Sequence, residues 1–247
     1  MSSPVRAPAR PAREGKLPEP GGARGRTPDT PSPLDPDVVS AFPSMATILS
    51  EREHGGARIY HTTFDAAGAR SASYVGGQYV ATSPGTYASL LVRTESGHSE
   101  CMMSDLGYER ATCLEIVKRA HGQVLIAGLG LGMILHPILD KPAVRRITVV
   151  EKYPDVIDLV CPTLPASARL AIVAADIFAW RPPRDARYDV IWFDIWPDIA
   201  TSRLAEMARL HRRFARYLNR ANPESWMESW HRRETRHLAA TSAASTR

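Results

Sequence analysis

The sequence predicts an α/β protein in which a parallel sheet carries helices on both faces and follows a small antiparallel β-meander. Four apolar segments alternate with helical or loop stretches between residues 123 and 194, as successive β-α-β units do. The first segment runs into three alternate glycines, Gly128, Gly130 and Gly132, which indicate a sharp turn from strand to helix. Short β-favouring runs separated by turns occupy residues 44–104 and predict the meander.

The chain begins with a segment, residues 1–43, that we expect to be disordered. It holds 10 of the 20 prolines, and such a composition buries too little apolar surface to offset the entropy of ordering. It contains no apolar core of the signal-peptide type, and no stretch of the chain approaches the roughly 20 apolar residues that cross a bilayer. We therefore expect a cytoplasmic protein without a membrane partner.

Cysteine and histidine usage gives no sign of a metal site. Cys101, Cys113 and Cys161 are widely spaced and form no CxxC pair, and the 8 histidines form no cluster with metal-ligand spacing. The sequence therefore predicts neither structural zinc nor a disulfide framework, and it leaves a homodimer open.

The meander, residues 44–104, contains a β-favouring run at 57–65, two strands expected to join across a turn at 83–86, and a further strand at 100–103. Its apolar volume is too small for it to stand alone, so we expect it to pack on the next domain.

The second domain, residues 105–200, should begin with a helix that Ser104 or Asp105 caps and that Gly122 ends. Further helices are expected at 131–139, directly after the glycines, and at 155–160. The four strands between them are nearly continuous apolar runs, as strands buried on both faces are: QVLIA, RRITVVE, RLAIVAAD and YDVIWFD.

The C-terminal segment, residues 201–247, is basic and is predicted to be helical at 203–220 and 225–240. It contains 10 Arg and 4 Glu, so the net charge of +5 belongs to this segment and not to the rest of the chain. Nothing in it is typical of a strand. We therefore expect the parallel sheet to be truncated at its C-terminal edge.

A cofactor site is expected where the glycine turn meets the end of the second strand. Glu151 closes that strand 23 positions after Gly128, and an acid there accepts hydrogen bonds from a ribose diol. The dinucleotide pattern G-x-G-x-x-G is not completed, because Met133 stands at the sixth position from Gly128 and Leu135 at the sixth from Gly130. A nicotinamide enzyme is therefore a minor alternative.

The observed G-x-G-x-G resembles the first motif of the class I S-adenosylmethionine-dependent methyltransferases, whose domain is Rossmann-like. The resemblance implies that Gly128, Gly130, Gly132 and Glu151 hold S-adenosylmethionine. It also implies that Asp176, with Ile177 beside it, faces the adenine. Asp194, at the end of the fourth strand, matches the family's residue near the methionine moiety.

Within that superfamily the chain is similar to the spermidine (polyamine) synthase branch, which also places a β-meander first and follows its fourth strand with an acidic loop like DIWPD. This resemblance implies a methyl or aminopropyl transfer to a small molecule, with S-adenosylmethionine or its decarboxylated form as donor. Asp194 and Asp198 would then hold an acceptor amine and accept its proton. The chain departs from the methyltransferases in having Ile126 two positions before the first glycine, where an acid usually stands, and from the branch in reproducing its loop only partly.

Two other functions remain open from the sequence. The first is a nucleic-acid methyltransferase that uses the basic helices at 203–236, although no NPPY or DPPW motif for a flipped adenine is present. The second is a non-catalytic protein that retains the fold, which the expected truncation of the sheet favours.

Overall fold

A computed structural model describes residues 35–66, 68, 73–75, 78–80 and 83–245. Most of the segment predicted to be disordered therefore lies outside the described residues. Its end does not fit that prediction, because α1 (Pro36–Ser40) is helical, and α2 (Met45–Ile48) is a helix where the meander was expected to begin. The reason is burial: Val38 and Phe42 insert into the main core.

The meander is confirmed as antiparallel strands. Its larger sheet has the order β1-β2-β5-β6, and β3 pairs with β4 in a separate hairpin. The expected pairing across the turn at 83–86 does not occur, because β5 pairs with β2 and β6. The strands are β1 (Arg52–His54), β2 (Ala57–Phe64), β3 (Ser73–Val75), β4 (Gln78–Val80), β5 (Gly85–Arg93) and β6 (Ser99–Ser104).

The second sheet has the order β11-β10-β7-β8-β9, and all of its strands are parallel. Its strands are β7 (Gly122–Ala127), β8 (Val144–Glu151), β9 (Leu170–Ala174), β10 (Val190–Phe193) and β11 (Trp226–Ser229). The helices are α3 (Gly107–Arg119), α4 (Leu135–Leu139), α5 (Pro154–Val160), α6 (Leu204–Phe214) and α7 (Arg232–Ser245).

Helices cover both faces of this sheet, as predicted. Along β7, Val124 and Ile126 belong to the core shared with α3, α4 and α5, whereas Leu125 and Ala127 belong to the core shared with α6. This alternation is what a strand buried on both faces requires. Among the described residues, no helix is both long and apolar enough to cross a bilayer.

The helix after the glycines is shorter than predicted. The sequence predicts it from residue 131, but α4 begins at Leu135. Gly130 and Gly132 have φ of 53° and 73°, and a right-handed helix cannot pass through residues in that conformation. The helix therefore starts only after the turn is complete.

The capping residue of α3 also differs from the prediction. Leu106 occupies the N-cap, and the Asp105 carboxylate instead accepts hydrogen bonds from the Met45 and Ala88 N–H groups at 2.7 and 2.8 Å. Asp105 also forms a buried ion pair with Arg110, whose guanidinium donates to the Phe42 carbonyl. Asp105 thereby ties the N-terminal helices and the meander to α3.

The prediction of an all-helical C-terminal segment is wrong at residues 226–229. These form β11, which pairs in parallel with β10 along Val190–Phe193 and so extends the sheet. Trp226 stacks on Trp192 with ring centroids 5.6 Å apart. A strand of this length carries too little periodicity to be told from a helix by sequence. Among the described residues the sheet has five strands and no antiparallel hairpin at its edge.

Candidate functional site

A cavity lies where the carboxyl ends of four neighbouring strands meet. Its lining includes residues at or within two positions of the ends of β7, β8, β9 and β10, among them Gly128, Glu151, Asp176 and Asp194. In open α/β sheets this edge is where ligands bind. The structure therefore brings most of the sequence-predicted site residues into one cavity.

Both the backbone conformation of the glycine turn and its close contacts with the rest of the chain require glycine at these positions. Gly128 has φ of 97°, and a Cβ there would collide with the Asp194 carbonyl oxygen. A Cβ on Gly130 would collide with the Met103 Sδ, and one on Gly132 would lie 2.8 Å from a Leu164 methyl carbon. Gly128 and Gly130 line the cavity, whereas Gly132 packs behind it. These glycines thus allow the turn to pack closely against neighbouring parts of the protein.

Glu151 is 6% exposed and holds the glycine turn in place. Its Oε2 accepts a hydrogen bond from the Leu129 N–H at 2.7 Å, and its Oε1 accepts one from the Tyr153 N–H at 2.8 Å. Burial raises the pKa of this carboxyl group, and the backbone donors oppose that rise. An ionised carboxylate has about four acceptor positions, so these two bonds leave capacity for a ligand.

Asp176 and Ile177 follow β9 and line the same cavity. The Asp176 Oδ1 accepts a hydrogen bond from the Phe178 N–H at 2.7 Å, which fixes the carboxylate within the turn. Ile177 is 3% exposed and belongs to the core under α6. The pair offers one polar and one apolar group side by side.

Asp194 directly follows β10 and lines the cavity at that end of the sheet. Its Oδ2 accepts a hydrogen bond from the Trp192 Nε1 at 3.3 Å. Burial raises the pKa of Asp194 to about 6, and the Trp192 bond opposes the rise. Asp194 is therefore ionised at neutral pH but close to its titration range.

Glu109, which the sequence reasoning missed, is the second carboxyl group at this end of the cavity. Burial and then the negative charge of Asp194 raise the pKa of Glu109 to about 8. At neutral pH the pair thus carries a neutral Glu109 beside an ionised Asp194. A signal was present in the sequence, since Glu109 shares a helical face with the buried Cys113 and Ile116, four and seven positions later.

Asp198 does not join Asp194. It lies on the exposed side of the loop, where its Oδ1 accepts a hydrogen bond from the Arg203 Nε at 3.0 Å, and it is absent from the cavity lining. Arg203 itself lines the cavity together with Glu206, whose Oε2 accepts a hydrogen bond from the Trp196 Nε1 at 2.8 Å. The carboxyl pair in the cavity is therefore Glu109 with Asp194.

Within the part of the chain that the structure describes, no group of three or more His, Cys, Asp or Glu side chains is arranged to hold a metal ion. The described residues that line the cavity supply carboxyl groups, the cations of Lys152 and Arg203, and apolar or aromatic walls.

No protein-family model and no curated protein matches the chain. It is similar to the solved structure of the N-methyltransferase NodS from Bradyrhizobium japonicum WM9, with 17% identity over 45% of this chain and 62% of that one and a TM-score of 0.36. It is also similar to the CcbJ methyltransferase from Streptomyces caelestis, with 20% identity over 47% of this chain and 46% of that one and a TM-score of 0.35. For the plantazolicin methyltransferase BpumL in complex with SAH the identity is 18%, the coverage 44% and 40%, and the TM-score 0.32. The chain spans between 40% and 62% of the length of these structures.

Proposed function

We propose that this protein is an S-adenosylmethionine-dependent transferase that acts on a small-molecule amine. The observation that carries the proposal is the single cavity in which the glycine turn, Glu151, Asp176 and the Glu109–Asp194 pair meet at the carboxyl edge of a parallel sheet. The cavity offers a polar position for a ribose, a mixed polar and apolar position for a base, and an acidic position beyond them.

The residues present fit the nucleoside part of the donor. Glu151 keeps acceptor capacity for a ribose diol after it has bound the turn. Asp176 would accept a hydrogen bond from the adenine amino group, while Ile177 packs against the ring. Gly128 and Gly130 would keep the turn close to the methionine moiety.

The acidic end of the cavity supports an amine acceptor. The donor supplies an electrophilic carbon bound to a positively charged sulfur. An ammonium group would be attracted to the ionised Asp194 and would give up one proton to it, which frees the nitrogen lone pair. That lone pair would attack the carbon as the S–C bond breaks, so that the sulfur leaves as a neutral thioether. Neutral Glu109 would donate a hydrogen bond to the Asp194 carboxylate or to the acceptor and would keep a second negative charge out of the cavity at neutral pH.

The spermidine synthase-like assignment is the finer form of this proposal. A pair of carboxyl groups close to the reacting carbon serves a diamine in aminopropyl transfer as well as a simple amine in methyl transfer. The choice between S-adenosylmethionine and its decarboxylated form therefore decides between the two reactions.

Isothermal titration calorimetry with each of the two donors tests the proposal. We expect one donor to bind and Glu151→Gln to weaken that binding by about tenfold, in line with the loss of a charge-assisted hydrogen bond worth roughly 1–3 kcal/mol. The matched control is Glu224→Gln, which changes an exposed carboxyl group outside the cavity lining. If neither donor gives heat at millimolar concentration, the proposal is wrong.

Mass spectrometry of an amine panel incubated with the preferred donor then identifies the reaction. Added methyl groups support methyl transfer, and added aminopropyl groups support the spermidine synthase-like form. Binding of a donor without any product over the whole panel would favour the non-catalytic alternative.

A further inference from the structure

The arginines between residues 181 and 236 include a group that forms ion pairs and a group that does not. On α7, Arg232 pairs with Glu228 at 3.1 Å and Arg233 with Glu115 at 3.5 Å, so these side chains stabilise the fold. On α6, in the helical turn Ala215–Tyr217 that follows it and in the loop at 181–187, the exposed arginines form no ion pair with a carboxylate of any described residue. We call this second group the arginine face: Arg181, Arg184, Arg187, Arg209, Arg212 and Arg216.

Helix geometry places the arginines of α6 and of the turn that follows it on one side. Arg209, Arg212 and Arg216 recur at intervals of three and four residues, opposite the buried Met207, Leu210 and Phe214. The stripe therefore faces solvent along the helix and its terminal turn. These arginines take no part in the packing of the apolar side of α6 against the sheet.

The loop at 181–187 is fastened beside that stripe. The Arg213 guanidinium, on α6, donates hydrogen bonds to the Ile177, Phe178 and Trp180 carbonyls at the beginning of the loop. At its other end the Tyr188 N–H donates to the Tyr217 carbonyl at 2.8 Å. Arg181, Arg184 and Arg187 are thus held next to the helical arginines as one surface.

The positive charges on this surface lie close together and repel one another. Burial, and the nearby cations Arg181 and Arg209, lower the pKa of Arg213, so these three guanidinium groups are close in space. The acids in the two segments are Asp185 and Glu206, and Glu206 already accepts a hydrogen bond from Trp196. Asp176 is bonded to the Phe178 N–H. Uncompensated like charges cost free energy unless an anionic partner neutralises them.

The guanidinium groups also lie close enough to aromatic rings to stack. The Arg209 Cζ lies 5.5 Å from the Phe178 ring centroid, and the Arg216 Cζ lies 5.0 Å from the Tyr217 ring centroid. A guanidinium held on an aromatic ring keeps its outer face available for an unpaired base. Arginine-rich surfaces with nearby rings are typical of proteins that bind single strands, through phosphates and by stacking.

We propose that the arginine face binds single-stranded nucleic acid. Phosphates would pair with the exposed guanidinium groups of the loop and of α6, and unpaired bases would stack on those held against Phe178 and Tyr217. Phe178 also lines the cavity, but this surface does not include the carboxyl pair, and its binding to RNA requires no transferase activity.

Fluorescence anisotropy with a labelled oligouridine RNA, measured on the full chain at several salt concentrations, tests the proposal. The variant is Arg184→Glu/Arg212→Glu, because neither side chain forms a hydrogen bond within the described residues. The control is Arg58→Glu/Lys118→Glu, which reverses two exposed cations elsewhere on the surface. Both variants lower the net charge equally, and circular dichroism checks that each is folded.

We expect the wild-type protein and the control to bind the RNA with affinity that falls steeply as salt rises. The arginine-face variant should bind on the order of tenfold more weakly, and its slope of log K against log salt should be less steep by about 1.4, or roughly 0.7 for each phosphate that the variant no longer neutralises. Absence of RNA binding by the wild type, or an equal weakening in the control, would overturn the proposal. Tighter binding of a duplex DNA of equal length would overturn its single-stranded form.

Discussion

Replacing Glu109 by Gln should stabilise the protein at alkaline pH and have little effect at acidic pH. The folded chain keeps the Glu109 proton up to about pH 8, because burial and the charge of Asp194 raise its pKa from the ordinary value of 4.5. The unfolded chain loses the same proton near the ordinary value. The folded state therefore loses stability as the pH rises from about 4.5 to about 8.

The size of this effect follows from the pKa values. The difference between 4.5 and about 8 corresponds to about 5 kcal/mol at 1.36 kcal/mol per pH unit. Glu109 retains partial solvent exposure, and water screens some of the interaction. We therefore expect Glu109→Gln to raise the free energy of unfolding by about 2 kcal/mol more at about pH 8.5 than at about pH 4.5.

Urea denaturation followed by far-ultraviolet circular dichroism at the two pH values measures this difference. Glu224→Gln serves as the control, because this carboxyl group is exposed and forms no ion pair among the described residues. A Glu109→Gln effect that is the same at both pH values would refute the reasoning, since it would mean that Glu109 does not keep its proton in the folded protein.

Three further outcomes are expected. Gly130→Ala should lower stability by about 1–3 kcal/mol, because φ is 53° and the new Cβ would meet the Met103 side chain, and calorimetry should show partial recovery when Met103→Ala is added. Asp105→Asn should cost about 3–5 kcal/mol in urea denaturation, since it leaves Arg110 buried without its charge partner, and a loss below about 1 kcal/mol would contradict the role of this pair. Asp198→Asn should change stability by less than about 1 kcal/mol and leave the rate of amine product formation, followed by mass spectrometry, within about twofold, whereas a tenfold loss of that rate would restore Asp198 to the site.

Much of the site could be predicted because its residues lie at fixed points of local structure. Each of Gly128, Glu151, Asp176 and Asp194 directly follows or ends an apolar run that forms a parallel strand. The carboxyl ends of parallel strands meet at one edge, so the run and the residue that follows it locate the group in space. The positions of these groups therefore do not depend on the conformation of the loops between the strands.

Glu109 could not be placed in the same way, because its position depends on how α3 packs against the end of β10. Asp198 shares a loop with Asp194, and their spacing alone groups the two carboxylates. The loop turns outward, however, and Arg203 provides the nearer partner for Asp198. Spacing in an irregular segment does not fix the direction of a side chain.

The sequence by itself determined the alternation of strands and helices, the tight glycine turn and the acids at the strand ends. These follow from hydrophobic periodicity and backbone sterics, which act over a few neighbouring residues. Only the tertiary structure decided that β11 completes the sheet, that Glu109 and Asp194 share one end of the cavity, and that the arginines divide into paired and unpaired groups. Each of these depends on contacts between segments far apart in the chain, whose energies no local pattern encodes.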